Sequence, residues 1–226
     1  MRKTVQISEE LKKEFPEIFF SEEIVAGFEL FFEILFQWNK KINLTAVGDP
    51  EHMIAKHLYD SLSIFKTTLG SALLHPFSGT LMDMGSGAGI PGILLLINNP
   101  SLKLVSVDKS GKKIIFQEFI KSKLLLRNLH PISDRLEAII SRQDYKNSLD
   151  YIVSRAFDQI KDLFEYSRFF LKPEAHLILW KGKKWKQELY RVPAILQSQF
   201  QLVELCEYQF ERFSIGGTIL VFQKSR

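Results

Sequence analysis

The residues best suited to chemistry stand in one short stretch, Thr80-Leu81-Met82-Asp83-Met84-Gly85-Ser86-Gly87-Ala88-Gly89-Ile90-Pro91-Gly92, with an apolar run over residues 93–97 behind it. The pattern predicts a buried strand, a glycine-rich turn and a helix starting near Pro91, where a missing N–H has no helical partner to lose. Alternate glycines let the backbone take φ > 0 and let a ligand approach the main chain closely. About twenty residues on, a second strand-like run ends in Asp108, the spacing of a carboxylate that grips a ribose beside a glycine loop. Gly85 and Asp108 are therefore the first candidates for a nucleotide-type site.

Two cofactors compete for the loop. Gly87 to Gly92 satisfies the dinucleotide fingerprint G-x-G-x-x-G. In that fingerprint the first glycine follows the strand directly, and here that glycine is Gly85. Counted from Gly85 the loop reads G-x-G-x-G with Asp83 just before it. This register resembles motif I of the class I S-adenosylmethionine-dependent methyltransferases, which wraps the amino-acid end of the cofactor with no pyrophosphate to cradle. The loop alone leaves NAD open, and its register favours S-adenosylmethionine.

A sheet must hold these residues. From residue 76 onward strand-like and helical stretches alternate, the signature of a parallel α/β domain. Strands are predicted at 80–84, 102–107, 130–133, 151–154, 177–180, 202–205 and 218–222, the last as an antiparallel partner. The helix after the second strand opens at Ser110 and turns Ile114, Ile115, Phe119, Ile120 and Leu124 inward. Gly216-Gly217 reads as a turn and Leu171-Lys172-Pro173 as a helix stop.

Residues 1–75 read as a helical extension. Ser8 is placed to cap a first helix ending by Pro16. Ser21 is placed to cap a second, whose Ile24, Phe28, Phe31, Phe32, Leu35 and Trp38 form a stripe of period 3.6. Asp49-Pro50 opens a third, with Met53, Ile54, His57, Leu58, Ser61, Leu62 and Phe65 on one face. The extension is expected to cover one edge of a sheet domain spanning 76–226, with His57 a satisfied core histidine.

Composition narrows the class. With 46% hydrophobic residues among 226, 19 of them Phe, the chain can bury a substantial core. The single Cys206 excludes an internal disulfide and a multi-thiolate metal site, which suits a reducing cytoplasm. The basic start has no apolar signal core behind it, and the run at 90–97 is too short for a bilayer. Neither a membrane nor a metal is expected as a partner. A net charge of +4 and a pI near 9.0 are compatible with a polyanionic partner.

Several stretches together resemble the bacterial glucose-inhibited division protein B family, the small-subunit ribosomal RNA guanine-N7 methyltransferases. They are Trp38-Asn39-Lys40-Lys41-Ile42-Asn43-Leu44-Thr45, Lys56-His57-Leu58-Tyr59-Asp60-Ser61, the glycine loop, Asp108-Lys109-Ser110-Gly111-Lys112-Lys113, Ser154-Arg155-Ala156 and Lys181-Gly182. The resemblance implies a Rossmann-like α/β fold with a seven-stranded, mostly parallel sheet and an N-terminal helical extension. It implies S-adenosylmethionine held at Gly85, Ile90, Asp108, Leu136, Glu137 and Arg155. The partner it implies is small-subunit ribosomal RNA or the assembling small subunit. Lys113 near the loop and Lys181, Lys183 and Lys184, with Trp185 and Lys186 after the fifth strand, form a basic cluster with an aromatic that suits RNA phosphates and stacked bases. The chain departs from the family where Pro173-Glu174-Ala175 replaces Pro-Gly-Gly, where Gly217-Thr218 replaces a basic pair entering the last strand, and where Lys113 replaces a common arginine.

Guanine N7 carries an exposed lone pair, so no general base is expected and alignment supplies the rate. Ser154-Arg155-Ala156-Phe157 stands where amino-directed methyltransferases carry an Asn/Asp-Pro-Pro-aromatic loop, and Phe157 is a candidate to stack on the target base. N7 lies in the deep groove of A-form RNA, so the target guanine should be unpaired or flipped out. A non-catalytic RNA-binding or assembly factor and an NAD-dependent oxidoreductase are the rival readings.

Overall fold

The computed structural model describes residues 7–73 and 79–226. The boundary expected between residues 75 and 76 lies outside them. Helix α1 (Ile7–Glu14) buries Ile7 and Leu11. Because the helix already includes Ile7, Ser8 sits inside its first turn and does not cap it. Helix α2 (Glu22–Ile42) is set by its ends. The Ser21 hydroxyl accepts the Ile24 N–H, and Asn43 adopts the left-handed conformation that closes a helix. Helix α3 (Pro50–Ile54) starts where Asp49 accepts the His52 N–H. It continues through a π-helical turn (Ala55–Tyr59), α4 (Asp60–Leu62) and a 3-10 turn (Ser63–Lys66), and α5 (Thr68–Leu73) follows.

Seven strands make one sheet: β1 (Thr80–Met84), β2 (Lys103–Asp108), β3 (Leu129–Ser133), β4 (Leu149–Arg155), β5 (Leu171–Lys181), β6 (Phe200–Phe210) and β7 (Ile215–Lys224). Their order is β3-β2-β1-β4-β5-β7-β6. Neighbours among β1 to β5 are parallel, and β7 runs antiparallel between β5 and β6. The crossovers carry α6 (Gly92–Asn98), α7 (Gly111–Lys123), α8 (Leu136–Ser141) and α9 (Ile160–Phe170), while α10 (Trp185–Tyr190) and α11 (Ala194–Gln197) link β5 to β6. The order reverses between β1 and β4, and ligands of such sheets bind outside the carboxyl ends of the strands at that point.

Helices cover both faces. On one, Phe31 and Trp38 of α2 meet Phe116 of α7 at ring-centroid distances of 6.1 and 5.5 Å. The extension packs over a face of the sheet domain through α6 and α7, and it also reaches the edge strand β6, where Phe15 and Tyr59 meet Phe210 and Glu204 accepts the Thr68 N–H. Each fully buried Phe or Leu there contributes about 1.5–3 kcal/mol. On the other face Phe164 of α9 lies 4.3 Å from Phe200 and 4.9 Å from Phe222.

Two further expectations are corrected. Ile115 is 62% exposed, and Phe116 and Gln117 turn inward in its place. Gly216-Gly217 lies within β7, because the β6–β7 connection is made at Glu211–Phe213 and by Ser214 at a φ of 51°. Gly217 pairs with Tyr208, and a Cβ on it would fall 2.8 Å from the phenol oxygen. The glycine is there to seat the tyrosine.

Candidate active site

The glycine loop is fastened from three sides. Gly85, Gly87 and Gly89 have φ of 68°, 59° and 82°, a region that costs other residues about 1–2 kcal/mol. From β2, Val107 O accepts the Ser86 N–H at 3.0 Å. From α7, Gln117 Nε2 donates to Ser86 Oγ and to Gly87 O, both at 2.9 Å. From β1, Asp83 Oδ2 accepts the Gly92 N–H at 2.8 Å where α6 begins. Asp83 is fully buried and its Oδ1 has no partner among the described residues. Burial pushes its carboxyl up to about 7, against the Gly92 N–H that favours the anion.

Asp108 closes the end of β2. Its Oδ2 accepts the Gly87 N–H at 2.9 Å, its Oδ1 accepts the Ser110 N–H at 2.8 Å, and Lys113 Nζ lies 4.0 Å away. Beside it opens a cleft of about 430 Å³, bounded by Gly85, Asp108, Lys113, Leu136, Glu137 and Phe157 among others, within the ~300–1,000 Å³ usual for small-molecule sites. The Tyr166 hydroxyl donates to Glu137 Oε1 at 2.7 Å and holds that carboxyl below its ordinary range.

These residues suit an adenosyl cofactor. Beside the cleft, Gly87 is uncrowded, the atom closest to where its Cβ would stand being Lys113 Nζ at 3.8 Å. The Asp108 carboxylate and the polar edge at Glu137 flank apolar Val107 and Leu136. Phe157 lies over Gly85, where a Cβ would stand 2.1 Å from the ring.

A second cavity of about 880 Å³ adjoins the first, and Ala156, Phe157 and Asp158 line both. Here Arg155 departs from expectation. Its Nη1 donates to Asp60 Oδ2 at 2.7 Å and to Lys56 O at 2.8 Å, and its Nη2 lies 2.8 Å from His57 Nδ1. Asp60 Oδ1 accepts the Tyr208 hydroxyl, and Asp60 O accepts Trp180 Nε1–H at 2.8 Å. The guanidinium therefore belongs to the second cavity and not to the cofactor cleft.

Other expected residues fall elsewhere too. Ile90 is 6% exposed and packs in the core, so its side chain does not face the cleft. Lys113 lines the cofactor cleft, with its side chain partly exposed. Lys181 is spent on Glu188 at 2.8 Å and on Asp158 O at 2.5 Å. Lys183 and Lys184 are exposed, while Trp185 between them and Lys186 is buried in the core and cannot stack on a base. Tyr208 had no sequence signal of its own. Asp60 had one: it follows His57 by three residues on a helical face, within reach of the same partner. Among the described residues no group of three His, Cys, Asp or Glu side chains gathers to hold a metal, and no helix is long and apolar enough to cross a membrane.

Topology, glycine loop and strand-end carboxylate define a class I methyltransferase fold. The backbone matches Atu636 of Agrobacterium tumefaciens, described as a predicted O-methyltransferase, with a TM-score of 0.57 at 11% identity over 73% of this chain and 80% of that one. It also matches P. horikoshii TYW2, solved in complex with MeSAdo, with a TM-score of 0.54 at 10% identity over 74% of this chain and 62% of that one. The chain belongs to the GidB family, rRNA small subunit methyltransferase G, whose model matches residues 24–211. A relative from Chromohalobacter salexigens, named ribosomal RNA small subunit methyltransferase G, is 38% identical over 160 residues, covering 71% of each chain.

Proposed function

We propose that this chain transfers a methyl group from S-adenosylmethionine to N7 of a guanine in small-subunit ribosomal RNA, free or within the assembling subunit. The observation that carries this reading is the pair of adjoining cavities, one floored by the glycine loop and Asp108, the other walled by Thr45, His57, Arg155 and Tyr208. When bound, S-adenosylmethionine supplies an electrophilic methyl group on a sulfonium. The chain's own residues bind and align. Asp108 offers its carboxylate to a ribose diol, Gly85 lets the cofactor approach the loop main chain, and Leu136 with Val107 flanks the adenine.

No side chain needs to remove a proton, because N7 carries its own lone pair. His57 is not available for that task, since burial and the charges of Arg155 and Lys56 hold it down to about 3. Lys183 and Lys184 offer charge to phosphates near the cavity mouth. Residues 1–75 act as an extension that completes the second cavity, residues 76–226 form the methyltransferase unit, and the setting is the cytoplasm, where ribosomes mature.

Melting temperature with S-adenosylmethionine, S-adenosylhomocysteine, NAD and NADP tests the cofactor, and stabilisation by the first two alone is expected. Labelled-methyl incorporation into small-subunit RNA from a strain lacking the protein tests the reaction. Asp108→Ala should abolish it, and full activity in that variant would remove the carboxylate from its role.

A further inference from the structure

At Thr45 the wall of the larger cavity presents a hydrogen-bond donor, whereas the acceptors Asp158 and Glu188 line other parts of it. A guanidinium only donates, so the 2.8 Å contact of Arg155 Nη2 makes His57 Nδ1 an acceptor. The neutral ring then carries its proton on Nε2, which donates to Thr45 Oγ1 at 2.7 Å. Thr45 Oγ1 also accepts the Val47 N–H at 3.3 Å. With both lone pairs taken, the hydroxyl retains only its proton to give, and Thr45 is half-buried on the cavity wall. Asp60, the carboxylate beside it, is spent on Arg155 and Tyr208.

On the edge of a purine that carries N7, guanine presents the O6 acceptor where adenine presents an amino donor. We propose that Thr45 donates its hydroxyl proton to O6 of the target guanine and thereby rejects adenine, with His57 and Arg155 as positioning residues that fix the direction of that donation. This rests on the reading above, that a guanine N7 is the methyl acceptor. An adenine in the same place sets its amino hydrogens against the Thr45 hydrogen and leaves a polar group unpaired, a strong source of discrimination.

The test uses three otherwise identical small-subunit RNAs with guanosine, 2-aminopurine riboside or adenosine at the target position. 2-Aminopurine keeps N7 and the 2-amino group and lacks O6. With the unaltered chain, kcat/KM is expected to fall roughly ten- to a hundredfold from guanosine to 2-aminopurine, and further for adenosine. Thr45→Val should bring guanosine down to the 2-aminopurine level while leaving 2-aminopurine within about twofold of its former rate. Thr45→Ser should keep the preference for guanosine.

Because Thr45→Val leaves the His57 Nε2–H and the Val47 N–H without their acceptor, a lower melting temperature is expected of it. S-adenosylmethionine affinity should stay with the unaltered chain and the loss of rate should fall on guanosine alone, which a merely structural role would not produce. Equal loss on both substrates in Thr45→Val, or an unaltered chain indifferent to O6, overturns the assignment. An unaltered chain that binds S-adenosylmethionine and methylates no guanosine RNA instead defeats the underlying reading, and the assignment falls with it.

Discussion

Asp83→Asn isolates the buried acid beneath the glycine loop. The native carboxyl is pushed up to about 7 from an ordinary 3.8, because its surroundings are dry and the Gly92 N–H, with the charge of Arg155, offsets only part of that cost. A native state that prefers the proton is favoured in full below the unfolded value, and that advantage is lost as pH rises through the folded value. Integrated between pH 5 and pH 8, this one group costs the unaltered chain on the order of 2–3 kcal/mol of unfolding free energy. Asparagine keeps the shape and a carbonyl for the Gly92 N–H but cannot ionise.

The difference in stability between Asp83→Asn and the unaltered chain should therefore shift by on the order of 2–3 kcal/mol in favour of the variant from pH 5 to pH 8. Urea unfolding of both proteins across that range measures it. Groups untouched by the substitution cancel in the difference. Parallel stability curves would refute the reasoning, since they would mean that Asp83 is ionised throughout and that the core around it is not dry.

Other outcomes test other parts of the molecule. Arg155→Ala leaves Asp60 without its cationic partner and should lower stability by about 3 kcal/mol or more, with Arg155→Lys recovering only part. Isothermal titration should find its cofactor affinity near that of the unaltered chain, and a loss as large as that of Asp108→Ala would return Arg155 to the cofactor cleft. Gly85→Ala places a methyl group 2.1 Å from the Phe157 ring at a φ of 68°. It should cost about 1–2 kcal/mol by thermal unfolding from the backbone alone, and adding Phe157→Ala should restore what the clash adds. Phe31→Ala should cost about 3–5 kcal/mol in one transition by calorimetry, because the extension shares its core with α7. Two resolved transitions would show an extension that folds by itself.

Local chemistry made much of the fold legible. Ser21 and Asp49-Pro50 mark helix starts because a cap needs only neighbours in sequence. The glycine loop and Asp108 declared themselves because a strand, a positive-φ turn and an acid at the next strand tip are fixed by short-range spacing. Strand extents were underread, since β5, β6 and β7 gain length from pairing with one another and not from their own apolar runs.

What sequence could not decide was the company each polar group keeps. Arg155 faces Asp60 across 95 positions and Tyr208 reaches Asp60 across 148. Lys181 is neutralised by a helix that follows it, and Trp185 turns into the core. The residue types determined a cofactor cleft at the sheet's reversal point. Only the folded chain divided the polar residues between that cleft and the cavity next to it, because a hydrogen bond depends on distance in space and periodicity reports only the face of one element.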